Sequence, residues 1–212
     1  MNICLLLGSF NPITIAHTSI ASTLLNSGKF DKILFVVANH NPWKMEKPAP
    51  FEVRCQMIET AIQPFEGKCE VCRIEENLPT PTYSYMTIGA LKEMYPNDTL
   101  FIVGGSDTIQ AIPHWKNYET HIKGNVEIIE ISRNVDYLFL PPNAINTFAY
   151  DEQGAFGREK LYGKNIPLIK TKRMDVSSTN VRWLISNGMN PYPLITTEVY
   201  NIIKQHNLYK NG

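Results

Sequence analysis

An α/β domain built on a doubly wound parallel sheet, with a small helical C-terminal part, is predicted by three features of this 212-residue chain. Apolar runs of strand length recur along it, stretches of helical periodicity separate them, and polar or glycine-rich loops follow the strand ends. With 43% hydrophobic and 19% charged residues the chain is long enough to bury one substantial core, and it is read as a single domain over 1–212.

The elements come in this order. Asn2-Ile3-Cys4-Leu5-Leu6-Leu7 reads as a buried strand that runs into the loop Gly8-Ser9-Phe10-Asn11-Pro12-Ile13-Thr14 and then into a helix from Ala16 to Ser27. A second apolar run, Ile33 to Ala38, is followed by Asn39-His40-Asn41-Pro42-Trp43-Lys44 and a helix from Phe51 to Ile62. Val71 to Ile74 is a third strand, and Tyr83 to Met94 has helical spacing. Leu100 to Val103 is a fourth, ending in Gly104-Gly105-Ser106-Asp107, and Val126 to Ile131 is a fifth. Asn134 to Lys160, rich in Pro, Asn and Gly, reads as a long excursion. Two helices close the pattern, Ser178 to Ser186 and Thr197 to His206, the second capped by Thr196 or Thr197 with Glu198 in its first turn.

Composition bounds the partners. Twenty basic and twenty acidic side chains cancel, so no global field draws in nucleic acid or an anionic membrane, and neither partner is expected. No apolar run reaches membrane-spanning length, and the N-terminal one is short and lacks a basic lead, which places the chain in the cytosol or nucleus. Cys69 and Cys72 form a Cys-x-x-Cys pair. On a strand, residues three apart face opposite ways, and no second pair or histidine has zinc-like spacing, so no protein metal site is expected.

The chemistry-bearing residues lie in the loops after the strands, where open α/β sheets bind ligands. The N-terminus of the first helix offers free N–H groups and positive dipole to an anion, and Thr14 and His17, three apart, share one face there. The loop lacks both the Gly-Lys-Ser/Thr ending and the three-glycine pattern of the two familiar nucleotide loops. Near the other end stands Asp175-Val176-Ser177-Ser178-Thr179-Asn180-Val181-Arg182. Three hydroxyls before a helix serve as caps, yet Arg182 one turn beyond Ser178 and Thr179 lets a guanidinium join them around one anion, which favours phosphate.

The ordered set Gly8-Ser9-Phe10-Asn11-Pro12-Ile13-Thr14 with His17, Gly105-Ser106-Asp107, and Ser177 to Arg182 resembles the nicotinamide/nicotinate mononucleotide adenylyltransferase family of the nucleotidylyltransferase superfamily. The resemblance spans nearly the whole chain. Asn41-Pro42-Trp43-Lys44 with Phe51 and Arg54 is similar to the family's Lys-bearing loop and the helix after it. Pro81-Thr82-Tyr83-Ser84-Tyr85-Met86-Thr87 resembles its Tyr-Thr segment, and Ile112-Pro113-His114-Trp115-Lys116 its Trp-Lys segment. Thr14 stands where the superfamily often has a first histidine, as in the family's eukaryotic members, which puts more of the phosphate work on His17.

The resemblance implies a Rossmann-like fold and transfer of the adenylyl group from ATP to the 5′-phosphate of a pyridine mononucleotide, either nicotinate or nicotinamide. The attacking phosphate is already an anion, so alignment and charge neutralisation suffice. His17, with Thr14 beside it and Arg182, would carry catalysis. Gly8, Ser9, Phe10, Gly104, Asp107, Ser177, Ser178 and Thr179 would hold ATP, while Lys44, Tyr83 and Trp115 would meet the mononucleotide, Trp115 by stacking on the pyridine ring. Mg²⁺ is expected on the triphosphate, held by phosphate oxygens and water. The alternatives are another acceptor on the same fold (a phosphopantetheine, FMN or a CTP-dependent transfer) and a nucleotide-binding regulator without turnover. A homo-oligomer is compatible with the sequence, which does not separate interface residues from core ones.

Overall fold

In a computed structural model of the chain, the described residues are 1–39, 48–135, 150–151, 162, 164, 166–172, 174 and 176–210. They form a seven-stranded sheet in the order β3-β2-β1-β4-β5-β7-β6. The strands are β1 (Asn2–Gly8), β2 (Lys32–Val37), β3 (Cys69–Cys72), β4 (Thr99–Gly104), β5 (Glu127–Val135), β6 (Tyr150–Asp151) and β7 (Leu168–Lys172). Neighbours from β3 to β7 all pair in parallel, and the two-residue β6 adds an antiparallel edge. The helices, in chain order, are α1 (Ile15–Asn26), α2 (Phe51–Ile62), α3 (Ser84–Met94), α4 (Ser106–Ala111), α5 (Ser178–Ser186) and α6 (Thr197–Gln205).

The apolar runs are continuous because both faces of the sheet are covered. Cys4, Leu6, Ile33, Phe35, Phe101 and Val103 point into one core layer, closed by α1, α2, α5 and α6. Ile3, Leu5, Leu34, Val36, Leu100 and Ile102 point into the other, under α3 and α4. Cys69 and Cys72 fall in different layers, as the two-residue period of a strand requires. All four cysteines are buried free thiols, and burial pushes the Cys69 thiol up to about 12 and that of Cys55 to about 11.

Three differences from the sequence reading have physical causes. The strand expected at Val71 to Ile74 begins at Cys69, and Ile74 instead opens a 3₁₀ turn, Ile74–Asn77. The sixth parallel strand, β7, was not expected, because Pro167 precedes it and lysines alternate with Ile169 and Thr171 in its run. The six-residue α4 is shorter than periodicity resolves. Most of the excursion expected over 134–160 lies outside the described residues.

From β1 the chain winds outward to β2 and β3, then crosses back to β4 beside β1 and winds the other way. The crevice where the winding reverses lies at the carboxyl ends of β1 and β4, between Gly8 and Gly104. Because six strands are parallel, the loops after β1, β2, β4 and β7 all emerge on that edge. Among the described residues no helix is long and apolar enough to cross a membrane.

Candidate active site

Gly8 ends β1 so that Phe10 can fold back over it. A Cβ on Gly8 would lie 3.0–3.3 Å from the Phe10 ring, and Phe10 itself turns at φ 45°, the left-handed region. The ring is buried, edge-on to His17 with centroids 5.3 Å apart and 5.5 Å from Phe35. Phe10, expected to meet ATP, thus belongs by its side chain to the core and offers a ligand only its backbone.

Thr14 is the N-cap of α1, and His17 occupies the third helical position, where a capping box usually has glutamate. The Thr14 N–H donates to His17 Nδ1 at 3.0 Å, and the Thr14 hydroxyl lies 2.8 Å from the same nitrogen. A backbone N–H can only donate, so Nδ1 must accept, and the neutral ring carries its proton on Nε2. The cap therefore turns His17 into a donor whose N–H points away from Thr14. Thr14 is buried and His17 half-buried.

The two segments expected to share an anion do meet. Ser178 Oγ donates to Pro12 O at 2.7 Å, and Arg182 Nη1 donates to Asn11 O at 2.9 Å, bonds that span 166 and 171 residues. The three hydroxyls divide their work. Ser177 caps α5 by accepting the Asn180 N–H at 3.1 Å, Ser178 holds the first loop, and Thr179, exposed, lies 3.5 Å from Arg182 Nη2. A guanidinium carries five donors, so holding a loop carbonyl and meeting a polyphosphate are compatible.

At the end of β4, a Cβ on Gly104 would fall 2.8 Å from Thr108 Cγ2, so only glycine lets α4 pack this closely. Asp107 is exposed in the first turn of α4. Tyr83 caps α3, with its ring 6.3 Å from that of Tyr85, and the Lys116 ammonium sits 4.3 Å over the Tyr83 ring. The Tyr-Thr and Trp-Lys segments are thus neighbours. Trp115 is half-buried and packs partly on the second core layer. Lys44 lies outside the described residues.

A family model described as Cytidylyltransferase-like matches residues 5–183. A protein of Methylacidiphilum infernorum (isolate V4), described as "Probable nicotinate-nucleotide adenylyltransferase", is 30% identical over 203 residues, 95% of this chain and 89% of the relative. The chain belongs to the nicotinate-nucleotide adenylyltransferase family. A relative of the same description from Clostridium tetani is 30% identical over 96% of both chains. The solved nicotinic acid mononucleotide adenylyltransferase of Plasmodium falciparum, complexed with NaAD, shares the fold with TM-score 0.73, covering 98% of this chain and 97% of its own at 23% identity.

Several residues that support the site were not singled out for a role in the sequence. Arg54, buried in α2, donates from Nη1 to Ser9 O at 2.7 Å and to Ala38 O at 2.9 Å, and from Nε to Ala49 O at 2.9 Å. Burial pushes its pKa down, yet a guanidinium stays charged. Glu75, also buried, accepts the Asn39 N–H at 3.0 Å and the Thr87 hydroxyl at 2.8 Å, and burial raises its carboxyl above the usual range. Asn11 Oδ1 accepts from Ala49 N–H and from the Tyr209 hydroxyl. In the sequence Arg54 stood within the segment that resembles the family's helix, with no role given to it, as a charge among the apolar positions of the helix Phe51 to Ile62.

Proposed function

We propose that this chain transfers the adenylyl group of ATP to nicotinate mononucleotide. A 5′-phosphate oxygen of the acceptor attacks the α-phosphorus, the bond from that phosphorus to the bridging oxygen of the β-phosphate breaks, and pyrophosphate leaves as the dinucleotide forms. The observation that carries this reading is the pair of hydrogen bonds from Ser178 and Arg182 to the loop of His17. It brings together two helix N-termini, an imidazole donor and a guanidinium, all suited to a triphosphate.

In this reading the His17 Nε2–H and the N–H groups after Gly8 meet the α-phosphate. The first turn of α5, with Thr179 and Arg182, takes the rest of the polyphosphate, and Asp107 accepts from a ribose hydroxyl. Mg²⁺ arrives on the triphosphate as a hard cation that keeps phosphate oxygens and water, which asks for no cluster of protein carboxylates.

Nicotinate rather than nicotinamide is favoured by Lys116. Its ammonium over Tyr83 adds positive charge beside the aromatic segments assigned to the pyridine ring, and only nicotinate carries a carboxylate to meet it. The test is paired kinetics of pyrophosphate release with Mg-ATP and each mononucleotide. kcat/KM should be higher for nicotinate mononucleotide, and Lys116→Ala should lower that preference about fivefold, the upper range for an exposed charge pair. A wild-type preference for nicotinamide mononucleotide would overturn the acceptor. No release with either would overturn the reaction and leave another acceptor or a regulator.

A further inference from the structure

Beyond α6 the backbone takes two left-handed turns at residues other than glycine, Asn207 at φ 51° and Tyr209 at φ 62°. Asparagine tolerates this region, but a tyrosine there is an outlier that persists only where its surroundings hold it. Two sets of contacts hold it. Leu208 and Tyr209 pack against the first core layer, and the Tyr209 hydroxyl donates to Asn11 Oδ1 at 2.6 Å, across 198 residues.

Asn11 is the residue on which the loop of His17 hangs. Its Oδ1 also accepts the Ala49 N–H at 3.0 Å, so both lone pairs of that oxygen are used, and its backbone carbonyl accepts Arg182. The loop is therefore tied to the entrance of α2, to α5 and to the segment after α6 through one residue. Tyr209 is close enough to Arg182 and Arg54 to feel both charges, yet burial dominates and keeps the phenol protonated, hence a donor. Packing alone would need the ring and not the hydroxyl. The hydroxyl finds the side chain that sets the backbone between Ser9 and Thr14.

We infer that Tyr209 is a positioning residue for adenylyl transfer: its hydroxyl fixes Asn11 and so aims the loop N–H groups and His17 at the α-phosphate. The inference rests on the reading of that loop as the α-phosphate site. It differs from a stability contact in what it changes. A displaced donor loses more in the transition state than in ground-state binding, so kcat falls while KM holds.

Tyr209→Phe keeps the ring and removes only the hydroxyl. In the full-length chain it should lower kcat for pyrophosphate release about tenfold while KM for ATP moves less than about threefold. The decisive comparison is a double-variant cycle with Asn11→Ala, at a temperature where circular dichroism shows all four proteins folded. If Tyr209 acts through Asn11, Tyr209→Phe changes kcat by less than about twofold in the Asn11→Ala background. A kcat for Tyr209→Phe close to wild type, or a tenfold loss that persists without Asn11, overturns the inference. Wild-type protein inactive with both mononucleotides would overturn it together with the reaction assignment, and that outcome is read before any variant.

Discussion

Arg54 and Glu75 grip the two ends of one peptide unit, the one between Ala38 and Asn39. Arg54 Nη1 donates to its carbonyl at 2.9 Å, and Glu75 Oε2 accepts its N–H at 3.0 Å. The peptide dipole lies between the charges with its negative end toward the guanidinium, which makes the two side chains a pair with a peptide inserted. That unit is the exit of β2, and the same guanidinium nitrogen holds Ser9 O in the loop of His17. Two loops of the site are therefore set by one buried cation, and Glu75 keeps the cation's neighbour in register.

Burial raises the Glu75 carboxyl against the opposing pull of Thr87, the Asn39 N–H and Arg54. A carboxyl raised on folding binds its proton more tightly in the native state. Its contribution to stability therefore falls as pH rises from the ordinary 4.5 through the raised value, and is level above it. Glu75→Gln lacks this slope. Urea unfolding at a series of pH values should show the variant gaining on wild type across that window, and a variant that loses ground as pH rises would mean that Arg54 outweighs burial.

The Thr14 N–H holds His17 with its proton on Nε2, and in the proposed reaction that N–H meets the charge that builds on the α-phosphate. His17→Ala should lower kcat about 10²- to 10³-fold, the usual cost of losing one placed donor. ATP binding measured by titration should be retained. Weakened ATP binding with kcat intact would assign His17 to the ground state instead.

Trp115 leans partly on the second core layer, so its loss has two readings that kinetics separate. If the exposed part of the indole stacks on the pyridine ring, Trp115→Ala raises KM for the mononucleotide about 10- to 100-fold and KM for ATP by less than about twofold. Equal rises in both would point to lost packing.

Gly104 has no room for a methyl group. Gly104→Ala brings the new Cβ to 2.8 and 2.9 Å from Thr108 Cγ2 and Cβ, and Thr108 is a β-branched residue of a packed helix. The variant should lose about 1–3 kcal/mol of stability in urea unfolding, and Thr108→Ala added to it should recover most of that. No recovery would place the clash elsewhere in α4.

Much of the site was legible because its signals are local. Asn2 to Leu7 reads as a strand since a parallel strand covered on both faces is apolar throughout, and Gly8 and Thr14 punctuate the two ends of the loop after it. Ser177 to Arg182 reads as a helix start because caps act within three residues. β7 escaped because lysines share its run with Ile169 and Thr171, so that neither its length nor its alternation stood out.

By itself, then, the sequence determined the α/β winding, the polar loops at the strand ends, and the presence of Thr14 and His17 at one helix start and of Arg182 one turn into another. These arise from backbone sterics, periodicity and capping, which operate over a few residues. Only the tertiary structure decided that Arg182 and Ser178 tie down the loop of His17, that Phe10 is core, that Lys116 lies over Tyr83, and that Arg54 and Tyr209 reach Ser9 and Asn11. Local rules set how a side chain leaves its backbone. Which carbonyl it meets 45 or 198 residues away depends on how the layers pack, and that is a property of the whole chain.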